Sequence, residues 1–319
     1  MIPPELRKTL LVLPMLLAAT AWACQVPVFR YALERWEPGT YVLRAPAEMR
    51  VNPLANAEIK HAAGSSELEL HYPSQLRQAS EKPIWSARMS AENVRVALDS
   101  PVRQELKRRL LSGQSAVWLL VESGDVTKDA AVLKIVEEGL KLSQAKLKLP
   151  DGVITQDEAN DPGKRHENAD VLQSALPLKI EFSTLAMSRK STDEAALIAM
   201  LMNIESDLVD YSHEPMVFPV FGRGRALEPL IGKGIHADNI HQAAAYLCGA
   251  CSCEIKEQNP GIDLLMTADW SVVGTDEILP ETVQIRSKSS VPTTNKNWMM
   301  ITAGLLLVLA IVLLRPKPV

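Results

Sequence analysis

The 319-residue chain has few aromatic side chains and no excess of positive charge. Phe, Trp and Tyr make up 5% of the residues, a composition that argues against a carbohydrate-binding surface. The formal net charge is -4 at pH 7, and the basic run "RQELKRRL" lies in an amphipathic helical pattern whose charges form a solvated face. A nucleic-acid-binding protein needs a basic stripe to neutralise phosphates. We therefore expect no nucleic-acid partner.

The common catalytic and nucleotide-binding motifs are also missing from the sequence. Neither G-x-S-x-G nor H-E-x-x-H occurs, and the six histidines are scattered along the chain. The stretch "GRGRALEPLIGKG" fails the phosphate-loop pattern, because Leu227 occupies the first glycine position and Gly234 stands where Ser or Thr should follow Lys233. The sequence thus leaves an enzymatic activity uncertain and favours a protein without one.

The same glycine-rich stretch is better explained as a tight hairpin turn. Gly222 and Gly224 can adopt the left-handed backbone conformations that such turns require. Arg223 and Arg225 would then lie at the tip of the turn, where they are candidates for contact with an anionic partner.

The first 23 residues have the three parts of a secretory signal peptide. Arg7 and Lys8 form a positive region, an apolar run from Leu10 to Ala19 follows, and Ala21-Trp22-Ala23 matches an A-x-A cleavage pattern. The apolar run is short for a membrane span, which needs about 20 residues. We expect removal of this segment and export of the rest of the chain.

Cleavage after Ala23 would make Cys24 the first residue of the mature chain. This is the position that carries the lipid in bacterial lipoproteins. The preceding residues match a lipobox poorly, because Trp22 is bulky and Ala21 stands where leucine is usual. An ordinary cysteine is the preferred interpretation, and a lipidated one is the alternative.

The other end of the chain has the pattern of a membrane anchor. Residues 298–314 contain no charge and can just cross a bilayer as a helix, with Trp298 at one interface. Arg315 and Lys317 follow, and positive residues favour the cytoplasmic side. We therefore predict a single-pass protein of the cell membrane with an extracytoplasmic (periplasmic) body and a cytoplasmic C-terminus.

The body has two successive patterns of strands and helices. In the first, a helix is predicted over 26–36, followed by strands in "TYVLRA", "ELELHYP" and "KPIWSARMS". A helix over 90–113 ends the pattern, with Ser90 as its N-cap and a break at Pro101. This finish of two strands and a helix is repeated at the end of the second pattern.

The second pattern begins with "AVWLLVES", a continuous apolar run typical of a central strand. A long helix up to Pro150, a polar insertion, a strand in "LPLKIEFSTLAMS", a helix capped by Ser191 or Thr192, a hairpin and a final helix "HADNIHQAAAYLCGA" follow. The order β-α-β-α-β-β-α is that of a thioredoxin-like domain.

Several stretches are similar to those of an uncharacterised family of exported, membrane-anchored bacterial proteins: "VPVFRYALERW", "SAVWLLVESGD", "VFPVFGRGRAL" and the late "CGACSC". The resemblance implies an α/β protein with two tandem thioredoxin-like units and a C-terminal transmembrane helix, and it implies no activity. The expected organisation is a signal peptide 1–23, a degenerate thioredoxin-like domain 24–113, a second thioredoxin-like domain 114–270 with a polar insertion 151–175, a stalk 271–297, a transmembrane helix 298–314 and a tail 315–319.

The cysteines do not stand where a thioredoxin-like oxidoreductase needs them. Its C-x-x-C follows the first strand, at a helix N-terminus that stabilises the thiolate. In the second unit that position is residues 122–129, which contain no cysteine. The C-x-x-C formed by Cys248 and Cys251 ends the last helix, where the dipole and the nearby Glu254 and Glu257 disfavour a thiolate.

Three uses of the cysteines stay open. Outside the cytoplasm disulfides persist, so Cys248 could bridge Cys251, and Cys253 could reach Cys24. Alternatively, Cys248, Cys251 and Cys253 could bind zinc or copper(I), although the fourth ligand is missing because His241 is two helical turns from Cys248, roughly 10 Å. Dithiol catalysis is the third and least favoured use.

The sequence favours a non-catalytic extracytoplasmic protein that binds or assembles a membrane complex of the cell envelope. Its expected partners are the membrane and a membrane protein, and no cofactor is required. The alternative function is thiol-disulfide or metal handling, with copper or zinc, by the cysteines at 248, 251 and 253.

Overall fold

The computed structural model describes residues 24–47, 49–50, 52–73, 82–164, 169–251 and 255–273, which all belong to one compact unit. The predicted signal peptide, transmembrane helix and tail, most of the predicted stalk and Cys253 lie outside the described residues. No helix in the described part of the chain is long and apolar enough to cross a membrane.

A four-stranded sheet forms the first half of this unit. It follows helix α1 (Val28–Arg35) and contains β1 (Tyr41–Ala45), β2 (Ala57–His61), β3 (Glu67–His71) and β4 (Trp85–Arg88). The spatial order is β2-β1-β3-β4, with β1 and β2 parallel and the other pairs antiparallel. Two helices complete this half, α2 (Ala91–Leu98) and α3 (Pro101–Leu111).

A larger sheet forms the second half. The elements are β5 (Ala116–Glu122), α4 (Val126–Lys146), β6 (Val153–Ile154), α5 (Gln156–Asn160), β7 (Asp170–Val171), β8 (Phe182–Ser188), α6 (Ala195–Met202), β9 (Met216–Phe221), β10 (Arg225–Ala226), β11 (Leu230–Ile231), α7 (Ala237–Cys248) and β12 (Ile262–Asp263). The order in the sheet is β12-β10-β9-β5-β8, and β11 also pairs with β9. Only β5 and β8 run parallel among these pairs.

Short 3-10 turns lie at Leu208–Tyr211, Gly232–Gly234, Lys256–Gln258 and Trp270–Val272. The small strands β6 and β7 form a separate parallel pair.

Strand β5 is central because both of its faces are buried. Val117, Leu119 and Val121 belong to an apolar core shared with the first sheet and with α2, α3 and α6. The alternating residues Ala116, Trp118 and Leu120 belong to a second core built with α1, α4 and α7. This explains why the strand is a continuous apolar run instead of an alternating one.

Most predicted elements are present, and the mixed α/β class is confirmed. The helix break at Pro101 is observed, and Ser90 caps α2 by accepting a hydrogen bond from the Asn93 amide at 3.1 Å. Strand β2 was not predicted. The predicted cap at Ser191 or Thr192 is wrong, because α6 begins later, at Ala195.

The described residues of the polar segment 151–175 are exposed or half-buried, except Leu172 and Ser174, which are buried near its end. Glu34 accepts hydrogen bonds from the Gln173 amide at 2.8 Å and from the Ser174 amide and hydroxyl at 3.1 and 2.9 Å. Arg30 forms an ion pair with Glu34 at 2.7 Å and donates to the carbonyls of Ser174 and Leu176. This buried pair fixes the returning chain to the helix.

Candidate functional site

The cysteine-bearing segment after α7 is paired with the start of α1. Pro27 and Ala250 form an isolated antiparallel bridge. The Cys251 amide donates to the Val26 carbonyl at 3.0 Å, and the Val28 amide donates to the Gly249 carbonyl at 3.0 Å. The first described residues of the chain are therefore held beside the end of the last helix.

Cys24, Cys248 and Cys251 lie in the same apolar cluster, the second core. Their exposed fractions are 8%, 1% and 1%. Burial raises the pKa of the Cys248 thiol to about 12, because the thiolate would lose its hydration without gaining a compensating charge. Near neutral pH Cys248 is thus a protonated, poorly nucleophilic thiol.

No disulfide bond joins any two of these three cysteines. The predicted pairing of Cys24 with Cys253 involves a residue outside the described part of the chain. Within the residues that the structure describes, no group of three or more His, Cys, Asp or Glu side chains could hold a metal ion. His241, the nearest histidine in sequence, lies with its Nδ1 atom 3.2 Å from the Ser143 hydroxyl. The disulfide and metal assignments stay predictions.

The turn between β5 and α4 is the position at which the predicted thioredoxin-like domain would carry redox-active thiols. The turn contains no cysteine, and the Asp129 side chain stabilises it instead. The Asp129 carboxylate accepts hydrogen bonds from the Ser123 amide and hydroxyl at 2.8 and 2.7 Å and from the Gly124 amide at 2.9 Å. Asp125 caps the helix by accepting from the amides of Thr127 and Lys128.

The charged side chains around this turn form ion pairs or hydrogen bonds with neighbouring residues. Lys128 forms an ion pair with Glu214 at 2.6 Å, and the Arg189 guanidinium donates to the carbonyls of Glu122 and Glu214. Desolvation, with a smaller contribution from Asp129, raises the pKa of Glu122. The sequence indicates the position of this turn, but the role of Asp129 was not predicted. An aspartate in the first turn of a helix, after Ser and Gly, was the available signal.

The cysteine segment and this turn lie toward opposite ends of β5. The turn follows Glu122, the last residue of the strand. The cysteine segment is bonded to α1, and Ala32 of that helix packs against Gly222, which follows β9 near the amino end of β5. The cysteine segment and the turn at residues 122–129 are therefore separate features of the fold.

The predicted glycine-rich turn is present between β9 and β10. Gly222 and Gly224 have φ values of 57° and 91°, in the left-handed region. A side chain on Gly222 would also come within 2.6 Å of the Ala32 methyl group. Both requirements explain glycine at this position.

The two arginines of this turn bind the protein itself. Arg223 donates to the Leu33 carbonyl at 2.9 Å and pairs with Glu37 at 2.6 Å. Arg225 is 7% exposed, pairs with Asp263 at 3.1 Å and lies 5.8 Å from the centre of the Trp36 ring. These contacts give both residues a structural role, and their contact with an anionic partner stays a prediction.

A cleft of about 990 Å³ lies beside the cysteine-bearing segment. Residues 35–40, from the last residue of α1 onward, form one part of the lining, and residues 255–257 and 259–263 form another. Pro73, Ile204, Glu205, Arg225 and Glu228 complete the lining. The volume is at the upper end of the range for ligand pockets in proteins. The cleft was not predicted from the sequence, because its lining comes from distant segments that share no motif.

No known protein family, curated protein or solved structure matches the chain. The resemblance to exported, membrane-anchored proteins therefore stays a prediction from the sequence. The geometry of the turn, the cysteines and the cleft is the basis for a functional proposal.

Proposed function

We propose that the chain is a non-catalytic extracytoplasmic protein that binds a partner in a membrane complex of the cell envelope. Its body would consist of two thioredoxin-like units that have no dithiol chemistry. The observation that carries this proposal is the turn at residues 122–129. A redox-active cysteine pair is absent from this turn, and the Asp129 carboxylate instead binds the backbone amides of Ser123 and Gly124.

The strand arrangements support the two thioredoxin-like units. Both sheets contain a parallel strand pair next to an antiparallel hairpin, in the orders β2-β1-β3-β4 and β8-β5-β9-β10. In the second sheet α4 connects the parallel strands and α7 follows the hairpin, which is the expected β-α-β-α-β-β-α order. In the first sheet residues 46–56 connect the parallel strands without a helix among the described residues, so this unit would be degenerate.

The cysteine environment supports a structural use of the thiols. An attacking thiol needs access to its substrate and a pKa near the ambient pH. Cys248 is 1% exposed, and burial raises its pKa to about 12. A disulfide or a buried thiol in the second core fits this environment better than an exchanging dithiol.

The proposal is tested by extracting the full chain from its native membrane in a mild detergent. Binding in a membrane complex predicts a stable assembly with a membrane protein, larger than the monomer by native mass spectrometry. A matched sample carrying residues 1–23 and 271–319 around an unrelated soluble domain controls for association through the anchor. A clean monomer in the first sample, or the same assembly in both, contradicts the proposal.

The alternative function in thiol or metal handling is separated by the state of the sulfurs. Mass spectrometry with a thiol-alkylating reagent counts free thiols in the extracted protein, and elemental analysis counts copper and zinc. Two intact disulfides without metal would eliminate the alternative. Stoichiometric copper or zinc on free thiols at 248, 251 and 253 would replace the structural assignment.

A further inference from the structure

Three charged residues of the cleft with little exposure, here called its floor, are joined by ion pairs: Arg225, Lys256 and Asp263. The Asp263 carboxylate is 11% exposed and pairs with Arg225 at 3.1 Å and with Lys256 at 2.8 Å. It also accepts a hydrogen bond from the Gly39 amide at 2.8 Å. Arg225 donates further bonds to the carbonyls of Pro260 and Asn259. These cations are already occupied, so the floor has little capacity to bind an anionic ligand.

The rim of the cleft carries three carboxylates that form no ion pair among the described residues, and one further cation, Arg35, whose guanidinium lies 4.8 Å from the centre of the Tyr31 ring. Glu205 and Glu257 are exposed, and neither forms an ion pair with any described residue. Glu228 is also exposed and accepts only the Gly261 amide, at 3.2 Å, among the described residues. The field inside a concave, partly apolar site is focused, so these three charges act together on a bound ligand.

Apolar residues line the same cleft. Ile255 is 53% exposed, although large aliphatic side chains are normally buried. Pro38, Pro73 and Ile204 line the same space. A ligand that matches the cleft therefore carries positive charge and apolar side chains together.

We propose that this cleft binds a short, extended, basic segment of a partner protein in which Lys or Arg residues alternate with apolar residues. The inference rests on the proposed function and specifies its binding site. The glutamates at 205, 228 and 257 would face the basic side chains, and Ile255 would pack against the apolar ones. Complementary charge sets both the encounter rate and the choice of partner.

The test measures binding of a fluorescent peptide, Gly-Leu-Lys-Leu-Arg-Leu-Gly, to the full chain in mild detergent by anisotropy. Dissociation constants are compared for this peptide and a neutral one with Gln in place of Lys and Arg. We expect preference for the basic peptide, and weaker binding at 300 mM than at 50 mM NaCl because salt screens exposed charges. The double variant E205Q/E257Q should bind it roughly threefold to tenfold more weakly.

The control variant is E92Q/E138Q, which removes two exposed glutamates outside the cleft and should leave the affinity unchanged. Ile255→Ser should weaken binding of both peptides. Absence of binding at 1 mM, equal affinity for both peptides, or equal affinity in E205Q/E257Q and the parent overturns the inference.

The two proposals fail in different ways. If the membrane complex forms but the peptide shows no dependence on the cleft, the cleft assignment is wrong and the proposed function stands. If the peptide binds with the expected charge dependence but no complex is found, the cleft assignment stands and the proposed function is wrong.

Discussion

Arg103 is a fully buried cation that joins three parts of the fold. Its guanidinium donates to the Ser100 hydroxyl at 2.9 Å, the Ala97 carbonyl at 2.9 Å and the Leu265 carbonyl at 3.2 Å, and also to the Val96 carbonyl. Desolvation lowers its pKa to about 10, so the charge persists at neutral pH. It neutralises the carbonyl end of α2, where the helix dipole favours a cation.

Replacing Arg103 with Leu should lower the free energy of unfolding by about 3 kcal/mol, because several buried acceptors lose their donor. Urea denaturation measures this change. The control is Arg95→Leu, since Arg95 is 42% exposed and pairs with Asp193 at the surface. The control should cost less than about 1 kcal/mol. Equal losses in the two variants would show that Arg103 does not have this role.

Cys248 predicts a pH dependence of stability. Its pKa is about 12 in the folded protein and 9.0 when unperturbed, so above pH 9 the unfolded chain ionises first. The contribution of the buried thiol is therefore complete below pH 9 and declines as the pH rises toward 12. Between pH 8 and pH 10 the parent should lose about 1 kcal/mol more stability than Cys248→Ala.

Urea unfolding at the two pH values, in the presence of a reductant, measures this difference. The comparison with Cys248→Ala removes the effect of tyrosines, which titrate in both proteins. If the free energy of unfolding changes equally with pH in the parent and in Cys248→Ala, the Cys248 thiol is not a buried, protonated thiol.

At the scale of helices and strands, an element is predicted well when the pattern of its own residues determines its conformation. Strand β5 and helix α4 carry clear apolar periods, and Pro101 ends one helix and begins the next by its fixed φ. Strand β2 has the sequence "AEIKH", and none of its residues is buried. It forms because it pairs in parallel with β1, a contact that its own composition does not signal.

Helix α1 shows the same limit in its packing. Its existence was predicted, but seven of its eight residues are buried, including Arg30 and Glu34. The periodicity of Phe29 and Leu33 could not indicate that polar residues on the other side would also be covered. That cover is the chain around Ser174, more than a hundred residues later. The cleft beside this helix could not be predicted either, because its lining also comes from segments that are distant in the sequence.

The contact between α4 and α7 depends on the absence of a side chain at Gly139. A Cβ there would lie 3.0 Å from Cδ1 and 3.2 Å from Cγ2 of Ile240. Gly139→Ala gains about 1 kcal/mol of helix propensity but adds an overpacking cost of about 1–3 kcal/mol. We expect a net loss of about 1 kcal/mol in urea denaturation.

Ile240→Val should partly relieve this loss, so the double variant should be more stable than the sum of the two single changes predicts. Gly234→Ala is the control, because no atom lies within 4 Å of a Cβ at that position. Additive effects in the double-mutant cycle would contradict direct packing of Ile240 on this glycine.

For the molecule as a whole, the second core brings together segments from both ends of the described chain. Cys24 and Val26 are buried in it beside Cys248 and Cys251. The Gln25 amide donates to the Asp170 carboxylate, which adds a link to the polar insertion. The first residues of the body are thus part of its interior, a feature that the signal-peptide pattern alone did not indicate.

The burial of Cys24 allows a prediction about lipid attachment at this residue. A lipid on the Cys24 sulfur would have to reach a bilayer, but the side chain is 8% exposed and lies in an apolar core. Lipidation would therefore require the segment from Cys24 to Val28 to leave its pairing with Gly249 and Cys251. We predict an unmodified Cys24 and membrane attachment through residues 298–314.

The measurement is the intact mass of the mature protein, compared with Cys24→Ser. Lipoprotein processing requires the cysteine, whereas ordinary signal-peptide cleavage after Ala23 does not. We expect both proteins to be cleaved at the same bond, to carry no acyl mass and to remain in the membrane fraction. Accumulation of the uncleaved Cys24→Ser precursor, or acyl groups on the parent, would show that the buried cysteine is lipidated. Because Ser nearly preserves the side-chain volume, a processing defect could not be attributed to a cavity in the core.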